Sequence, residues 1–320
     1  MNRKSIFSCV ALVLAAACFT SCVNSNQKVI FSRNWQKDNT HFQSGLTEEL
    51  VYDITFEKSS INGSYSLDYQ NGTYTTKLTT EQVNGKIIYC YETKLEIDVL
   101  YECGQNSDTF QDVVYSWVKF EDVDKALRPI ASHKEIISHS PSNSASSLEE
   151  CYYSLNYVVD ITYNEDYSGN TVITMLNAEE PTEYQYSFQM KTDKLTGLDN
   201  EEILFALRGV NPSLSQTAKF TVYSPFVDNL QTVKATFGTE SSIDFSFRQN
   251  GELTKDTIQY YPVDVVLDEK NPGNTQKLWI AKNTNSILNK YHNVILKMEM
   301  PVYYNLGTLV YTLTSATFSN

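Results

Sequence analysis

The stretch Lys86-Ile-Ile-Tyr-Cys-Tyr-Glu-Thr-Lys-Leu-Glu-Ile-Asp-Val-Leu-Tyr101 decides how the rest of the chain is read. Its odd positions carry Ile87, Tyr89, Tyr91, Thr93, Leu95, Ile97, Val99 and Tyr101, and its even positions include Lys86, Ile88, Cys90, Glu92, Lys94, Glu96 and Asp98. This is the period of a β-strand, whose side chains alternate between faces. One face is a ladder of aromatic and β-branched residues made to be covered; the other is mostly charged and made to be wet. At about 3.3 Å per residue the strand spans roughly 50 Å, so it must twist and curve. A long curved antiparallel sheet with one apolar face is the predicted architecture.

The neighbouring sequence fits that picture. Asn84-Gly85 is a hairpin signal that launches the long strand, and Asn71-Gly72 reads as a second hairpin turn, between strands at 63–69 and 73–79. Asp112 to Phe120 alternates with apolar residues on both faces, which predicts a central strand covered twice. Ser138 to Glu149 is the one low-complexity segment; it is read as a long exposed loop within one sheet rather than an interdomain linker, because the strands on both sides share one character. Further alternating runs continue to the end, including Val294, Leu296, Met298, Met300 and Val302 on one face.

One helix interrupts the strands. Asp199 is placed to cap it, Glu202 completes a capping box, and Leu198 and Ile203 are spaced as a hydrophobic staple. Ile203-Leu204-Phe205-Ala206-Leu207 leaves little polar face, and Gly209 and Pro212 end the helix. So apolar a helix must be buried, and the concave side of the sheet is its natural place.

Composition narrows the function. The chain has 320 residues with 22 tyrosines and 15 phenylalanines but 12 glycines, a composition for an extended sheet. Its formal charge is −13, and loss of Arg3 and Lys4 with a cleaved leader takes it to −15. Such a surface repels phosphate backbones, which disfavours nucleic acid, and it repels anionic headgroups, so residence at a membrane needs a covalent anchor. The start supplies one. Met1 to Lys4 is basic, Ile6 to Ala17 is a short apolar run, and Cys18 and Cys22 follow. The segment resembles a bacterial lipoprotein signal, in which the cysteine becomes the lipidated first residue. Cys22 is favoured over Cys18, because Phe19 stands three positions ahead and polar Asn24-Ser25-Asn26-Gln27 follows. The expected organisation is a signal peptide at 1–21, a lipidated tether at 22–46 and a single β domain at 47–320, located in the cell envelope outside the cytoplasm.

Cys90 and Cys103 are not expected to pair: on one continuous strand they lie roughly 40 Å apart, beyond disulfide reach.

Chemistry-bearing motifs are scarce. His41, His133, His139 and His292 show no metal-binding spacing, and there is no G-x-S-x-G elbow, Walker loop or dinucleotide glycine motif. Asp122 and Asp124 lack the rest of a calcium loop. The expectation is a non-catalytic protein with no cofactor and no metal.

Four segments in succession resemble a bacterial family of uncharacterised exported proteins whose fold is similar to the lipoprotein-carrier half barrels. They are Val113 to Phe120 leading to Leu127-Arg128-Pro129, Asp199-Asn200-Glu201-Glu202 running to Leu207-Arg208, Lys277-Leu278-Trp279-Ile280-Ala281, and Gly307 to Ser315; together they span about 47–318. The Ser-rich insertion departs from that pattern. The resemblance implies a mainly β fold, a long curved antiparallel sheet forming an open half barrel around a short buried helix, and no catalytic residues. It also implies an apolar ligand, a lipid, acyl chain or lipopeptide, held between sheet and helix. The residues placed to meet it are Tyr89, Tyr91, Leu95 and Ile97 on the long strand, Ile203, Leu204 and Leu207 on the helix, and Leu296 and Met298 on the late strand. The competing reading is a surface module for glycan or protein, using one tyrosine of each pair Tyr152-Tyr153, Tyr260-Tyr261 and Tyr303-Tyr304. A third is a structural envelope lipoprotein without a small ligand.

Overall fold

The computed structural model describes Val29 and residues 45–59, 65–123, 126–142, 145–177, 180–225, 229–269, 275–282 and 291–319. The proposed signal peptide, Cys18, Cys22, Trp35 and His41 lie outside the described residues, as do the side chains of Asp122 and Asp124. Of the tether, Val29 is described: it packs against the core and its N–H donates to Thr196 Oγ1 at 3.1 Å.

The protein is mainly antiparallel β with a barrel-like core and one short helix. Five long strands come first: β1 (Gly45–Lys58), β2 (Ser66–Val83), β3 (Lys86–Cys103), β4 (Asn106–Val123) and β5 (Ala126–Pro141). Then come β6 (Tyr152–Tyr163), β7 (Ser168–Met175), β8 (Thr182–Gln189) and β9 (Thr196–Leu198). The helix α1 (Ile203–Arg208) precedes β10 (Thr217–Ser224), β11 (Asn229–Phe237), β12 (Ser241–Gln249), β13 (Glu252–Val266), β14 (Thr275–Ala281), β15 (Ile295–Pro301) and β16 (Gly307–Phe318). All sixteen join one sheet. Strands β12 to β16 close on themselves, because β12 pairs antiparallel with β13 and, through Arg248 and Gln249, parallel with β16. From this ring β1 to β8 extend on one side and β11, β10 and β9 on the other. The two arms approach each other where Phe188 of β8 stacks on Tyr223 of β10, ring centroids 3.9 Å apart.

The predicted long strand is β3, and its odd positions face inward: Tyr89, Tyr91, Ile97, Val99 and Tyr101 are buried. Cys90 and Cys103 sit near its opposite ends, and both are free thiols. Asn71-Gly72 is not a hairpin turn. It is a bulge within β2, with Asn71 at φ 52 and the pairing to β3 slipping between Gln70 and Thr73. A Cβ on Gly72 would meet Ile54 Cβ at 2.7 Å and Ile97 Cδ1 at 2.8 Å, so glycine is there to let two strands' side chains cross over it. The central strand β4 is covered on one face only; Val113, Tyr115 and Trp117 are half-buried outward residues, with Trp117 stacked on His133. The Ser-rich segment is shorter as a loop than the composition suggests. Ser138 to Pro141 belong to β5, and Pro141 and Ser142 are buried.

Helix α1 follows a 3-10 turn (Asn200–Glu202) that carries the predicted capping box: Asp199 accepts from the Glu201 N–H, and Glu202 reaches back to the Asp199 N–H. Six residues are too few to hold a helix in water, so packing must do it. Phe205 is fully buried, with its ring 5.3 Å from Tyr91 and 5.1 Å from Phe120. At the last helical residue Arg208 makes a two-pronged contact with Glu48 of β1, Nη1 to Oε1 and Nη2 to Oε2, both at 2.6 Å. The guanidinium also donates to the carbonyls of His292 and Asn293, and Asn293 Nδ2 donates back to the Arg208 carbonyl. Both side chains of the ion pair are almost entirely buried.

Removing one partner strands a charge in the core. Arg208→Met is therefore expected to destabilise by about 3–5 kcal/mol, while adding Glu48→Met should recover part of that loss, read from equilibrium urea unfolding. A double variant as unstable as the single one would show that the stranded charge is not the cause.

Candidate functional site

Strand register builds the site. Tyr52, Tyr74, Leu95, Val114, Ile136, Tyr157 and Met175 stand directly opposite one another across β1 to β7. They form one transverse apolar row on the inward face, close enough for side-chain contact. Towards one end of the long strands the inward residues lie beneath α1; towards the other, Val99 and Tyr101 lie beneath the segment that follows β5. Between them Tyr74, Leu95 and Val114 are half-buried, although Tyr89, Tyr91, Ile97 and Val99 on the same face of β3 are at most 3% exposed. The middle of the row keeps part of its apolar surface accessible. It joins two apolar clusters, with Tyr74 and Leu95 packed against one and Val114 against the other.

The adjacent row is polar. Thr76, Thr93, Ser116 and Lys134 face one another across β2 to β5. Thr93 Oγ1 and Ser116 Oγ share a hydrogen bond of 2.8 Å, and Ser116 Oγ donates to Glu201 Oε2 at 2.8 Å. Lys134 Nζ donates to the other Glu201 oxygen at 2.9 Å. Further along the same face, Ser132 Oγ of β5 and Tyr163 OH of β6 both donate to Asp199 Oδ2, at 2.6 and 2.5 Å. The acidic first turn before α1 thus rests on a stripe of hydroxyls and one ammonium, beside the apolar row.

The three acids respond differently to burial. Asp199 is raised, by desolvation and then by the neighbouring Glu201, against the hydrogen bonds of Ser132 and Tyr163. Glu202 is raised well above its ordinary value by desolvation, and its Oε1 is buried without a hydrogen-bond partner. Glu201 is pushed up by burial, but the Lys134 ammonium and the hydrogen bonds from Asn200 and Ser116 together outweigh that and hold it below its ordinary value.

Of the residues expected at the apolar site, Tyr89, Tyr91, Ile97, Ile203, Leu207, Leu296 and Met298 are buried core, and Leu204 is half-buried against it. Leu95 lies in the half-buried middle of the row. The sequence reading missed Val114, Ile136 and Tyr157, which only register aligns with Leu95, and it missed the polar row because Thr93 was counted within an apolar ladder. An opening of about 400 Å³ lies away from this row, at the far end of α1 between Leu207, Phe237 and Ile280, rimmed by Arg208 and Lys282.

The described histidines stand apart. His133 contacts Asp160 and Glu135, His139 contacts Asp112, and His292 stacks on Phe318. Burial lowers His133, but its two carboxylate neighbours outweigh this and raise it. Among the described residues no group of three potential ligands is arranged for a metal ion. The tyrosine pairs differ from alternation: Tyr153 is exposed and Tyr152 half-buried, as expected, but Tyr260 and Tyr261 are both half-buried. Tyr303 and Tyr304 are both exposed, because they lie in a 3-10 turn where strand alternation does not apply.

No protein-family model matches the sequence, and no curated protein matches it. Among solved structures, the chain is similar to a beta-barrel-like protein of a domain of unknown function, DUF1849, from Brucella abortus. The TM-score is 0.49 at 10% identity, covering 87% of this chain and 100% of that one.

Because Asp199 and Glu202 hold protons more tightly when folded than unfolded, their contribution to stability is complete below the ordinary values of 3.8 and 4.5 and is lost as pH rises through the raised ones. Glu202→Gln keeps the oxygen that accepts from Asp199 and removes the titrating carboxyl. Urea unfolding measured from about pH 4 to about pH 8 should show a shallower loss of stability with rising pH than the unsubstituted chain; an unchanged slope would assign the effect elsewhere.

Proposed function

We propose that this chain is a lipid-anchored protein of the cell envelope, attached through Cys22 (or Cys18), whose β1–β8 arm acts as an open half barrel. In this reading it binds a lipid, acyl chain or lipopeptide without catalysis. The observation that carries the reading is the half-buried apolar row Tyr74–Leu95–Val114, which we read as a shallow trough, flanked by the Ser116–Lys134–Glu201 stripe. An acyl chain laid along the row would gain about 0.8 kcal/mol per buried methylene, so ten methylenes supply roughly 8 kcal/mol before the costs of association. A polar head would then rest near Lys134, and little further recognition is needed. The fully buried candidates Tyr91, Ile203 and Leu207 take part as the wall behind the trough rather than as its surface.

Leu95→Trp and Val114→Trp each fill the trough. Either is expected to weaken binding of a fluorescent fatty acid at least about tenfold, equivalent to roughly 1.4 kcal/mol, with the circular dichroism of the fold retained. Undiminished binding in both folded variants would refute the trough as the site.

A second reading has its own observation. Tyr303 and Tyr304 are 65% and 52% exposed with ring centroids 6.4 Å apart, an aromatic pair able to stack on a sugar or a partner surface. Glycan-array binding that Tyr303→Ala/Tyr304→Ala abolishes, with fatty-acid binding unaffected, would favour this reading.

A further inference from the structure

Three free thiols are among the described residues, and register separates them by face. Cys90 is on the outward face of β3, half-buried between its cross-strand neighbours Thr79 and Lys119. Cys103 is on the inward face, on the same side as Tyr101, and packs at the margin of the core. It opens the turn into β4, pairing with Asn106 across Gly104, whose φ of 64 sharpens the reversal. Cys151 comes to the same place from elsewhere in the chain. It ends the 3-10 turn Leu148–Glu150 and is fully buried. Its carbonyl accepts from the Ser142 N–H at 2.8 Å, and its thiol faces the Ser147 carbonyl at 3.4 Å. The next residue, Tyr152, places its ring 5.1 Å from Tyr101, two residues before Cys103.

We propose that Cys103 and Cys151 are a disulfide-forming pair, which on oxidation staples the segment after β5 to the β3–β4 turn. The geometry brings the two together: Tyr101 and Tyr152, two residues from Cys103 and one from Cys151, have ring centroids 5.1 Å apart, and Cys103 packs against the same core cluster that contains Cys151. Burial, and then the neighbouring Cys103 thiol, push the Cys151 thiol up to about 11. The more accessible Cys103 is accordingly the attacking thiol. Its thiolate displaces one half of an oxidant disulfide such as glutathione disulfide, giving a mixed disulfide and one released thiol. The Cys151 thiolate then attacks the Cys103 sulfur and expels the second. Two protein thiols are oxidised to one disulfide, the oxidant is reduced to two thiols, and the two thiol protons pass to the released sulfurs.

The cross-link ties down the segment that covers the Tyr101 end of the inward face, where Tyr65 OH donates to the Ser142 carbonyl at 2.5 Å and Leu148 packs against the core. The full chain incubated with glutathione disulfide should yield, on non-reducing digestion, a peptide joining Cys103 to Cys151, with Cys90 still open to alkylation. A Cys90→Ser variant should form the same link. Oxidation should raise Tm by roughly 5 °C, because the closed loop is long. If Cys103 and Cys151 instead end as separate glutathione adducts, remain alkylatable in the unfolded protein, or if Cys103 links to Cys90, the proposal is overturned.

Discussion

The buried pair between Arg208 and Glu48 holds together segments that the chain keeps far apart. Glu48 lies in β1, at the seam where the closed ring of β12–β16 meets the long-stranded arm. Arg208 ends the helix, and the carbonyls of His292 and Asn293 complete its donor set. A guanidinium taken out of water is tolerated only when its donors are met. The helix terminus, the seam strand and the turn before β15 must therefore be assembled together. With its C-terminus fixed there and its N-terminus fixed by Asp199 to Ser132 and Tyr163, the helix has one position on the sheet.

That position sets what the inward face offers. Phe205 fills the space over Tyr91 and Phe120, so this part of the apolar ladder is core. The preceding turn ends over the polar row, and Glu201 lies between Ser116 and Lys134. Beyond it the helix stops covering the sheet, and Leu95 and its cross-strand neighbours keep part of their surface. The partly accessible row and its polar margin are thus two consequences of where one short helix lies. The Glu201 carboxylate that joins the helix's first turn to Ser116 also pairs with the Lys134 ammonium, which ties the charge beside the apolar row to the placement of the helix.

Much of this was legible in the sequence. Alternation in β3 gave the strand, its two faces and the absence of a Cys90–Cys103 bridge. Asp199 and Glu202 gave the helix start, because capping is a contact between residues three apart. Asn71-Gly72 misled, since the same tolerance of positive φ serves a hairpin or a bulge, and the choice was made by Ile54 and Ile97 crossing over Gly72. Arg208 reads locally as an ordinary cation at a helix C-terminus. Its partner is 160 residues away, and nothing local announces it. Tyr303 and Tyr304 escaped alternation because a 3-10 turn replaces the strand there.

The sequence by itself determined the elements and their faces: the period-two ladders, the capped apolar helix and the burial of one side of the sheet. These depend on contacts between near neighbours, which the order of residues encodes directly. Only the tertiary structure decided which inward residues are sealed and which stay partly accessible, which hydroxyls meet the acidic turn, and that Cys103 and Cys151 come to the same end of the sheet. Each of those depends on register across several strands and on the resting place of one helix. Both are set by long-range packing and by the cost of leaving a buried charge unpaired.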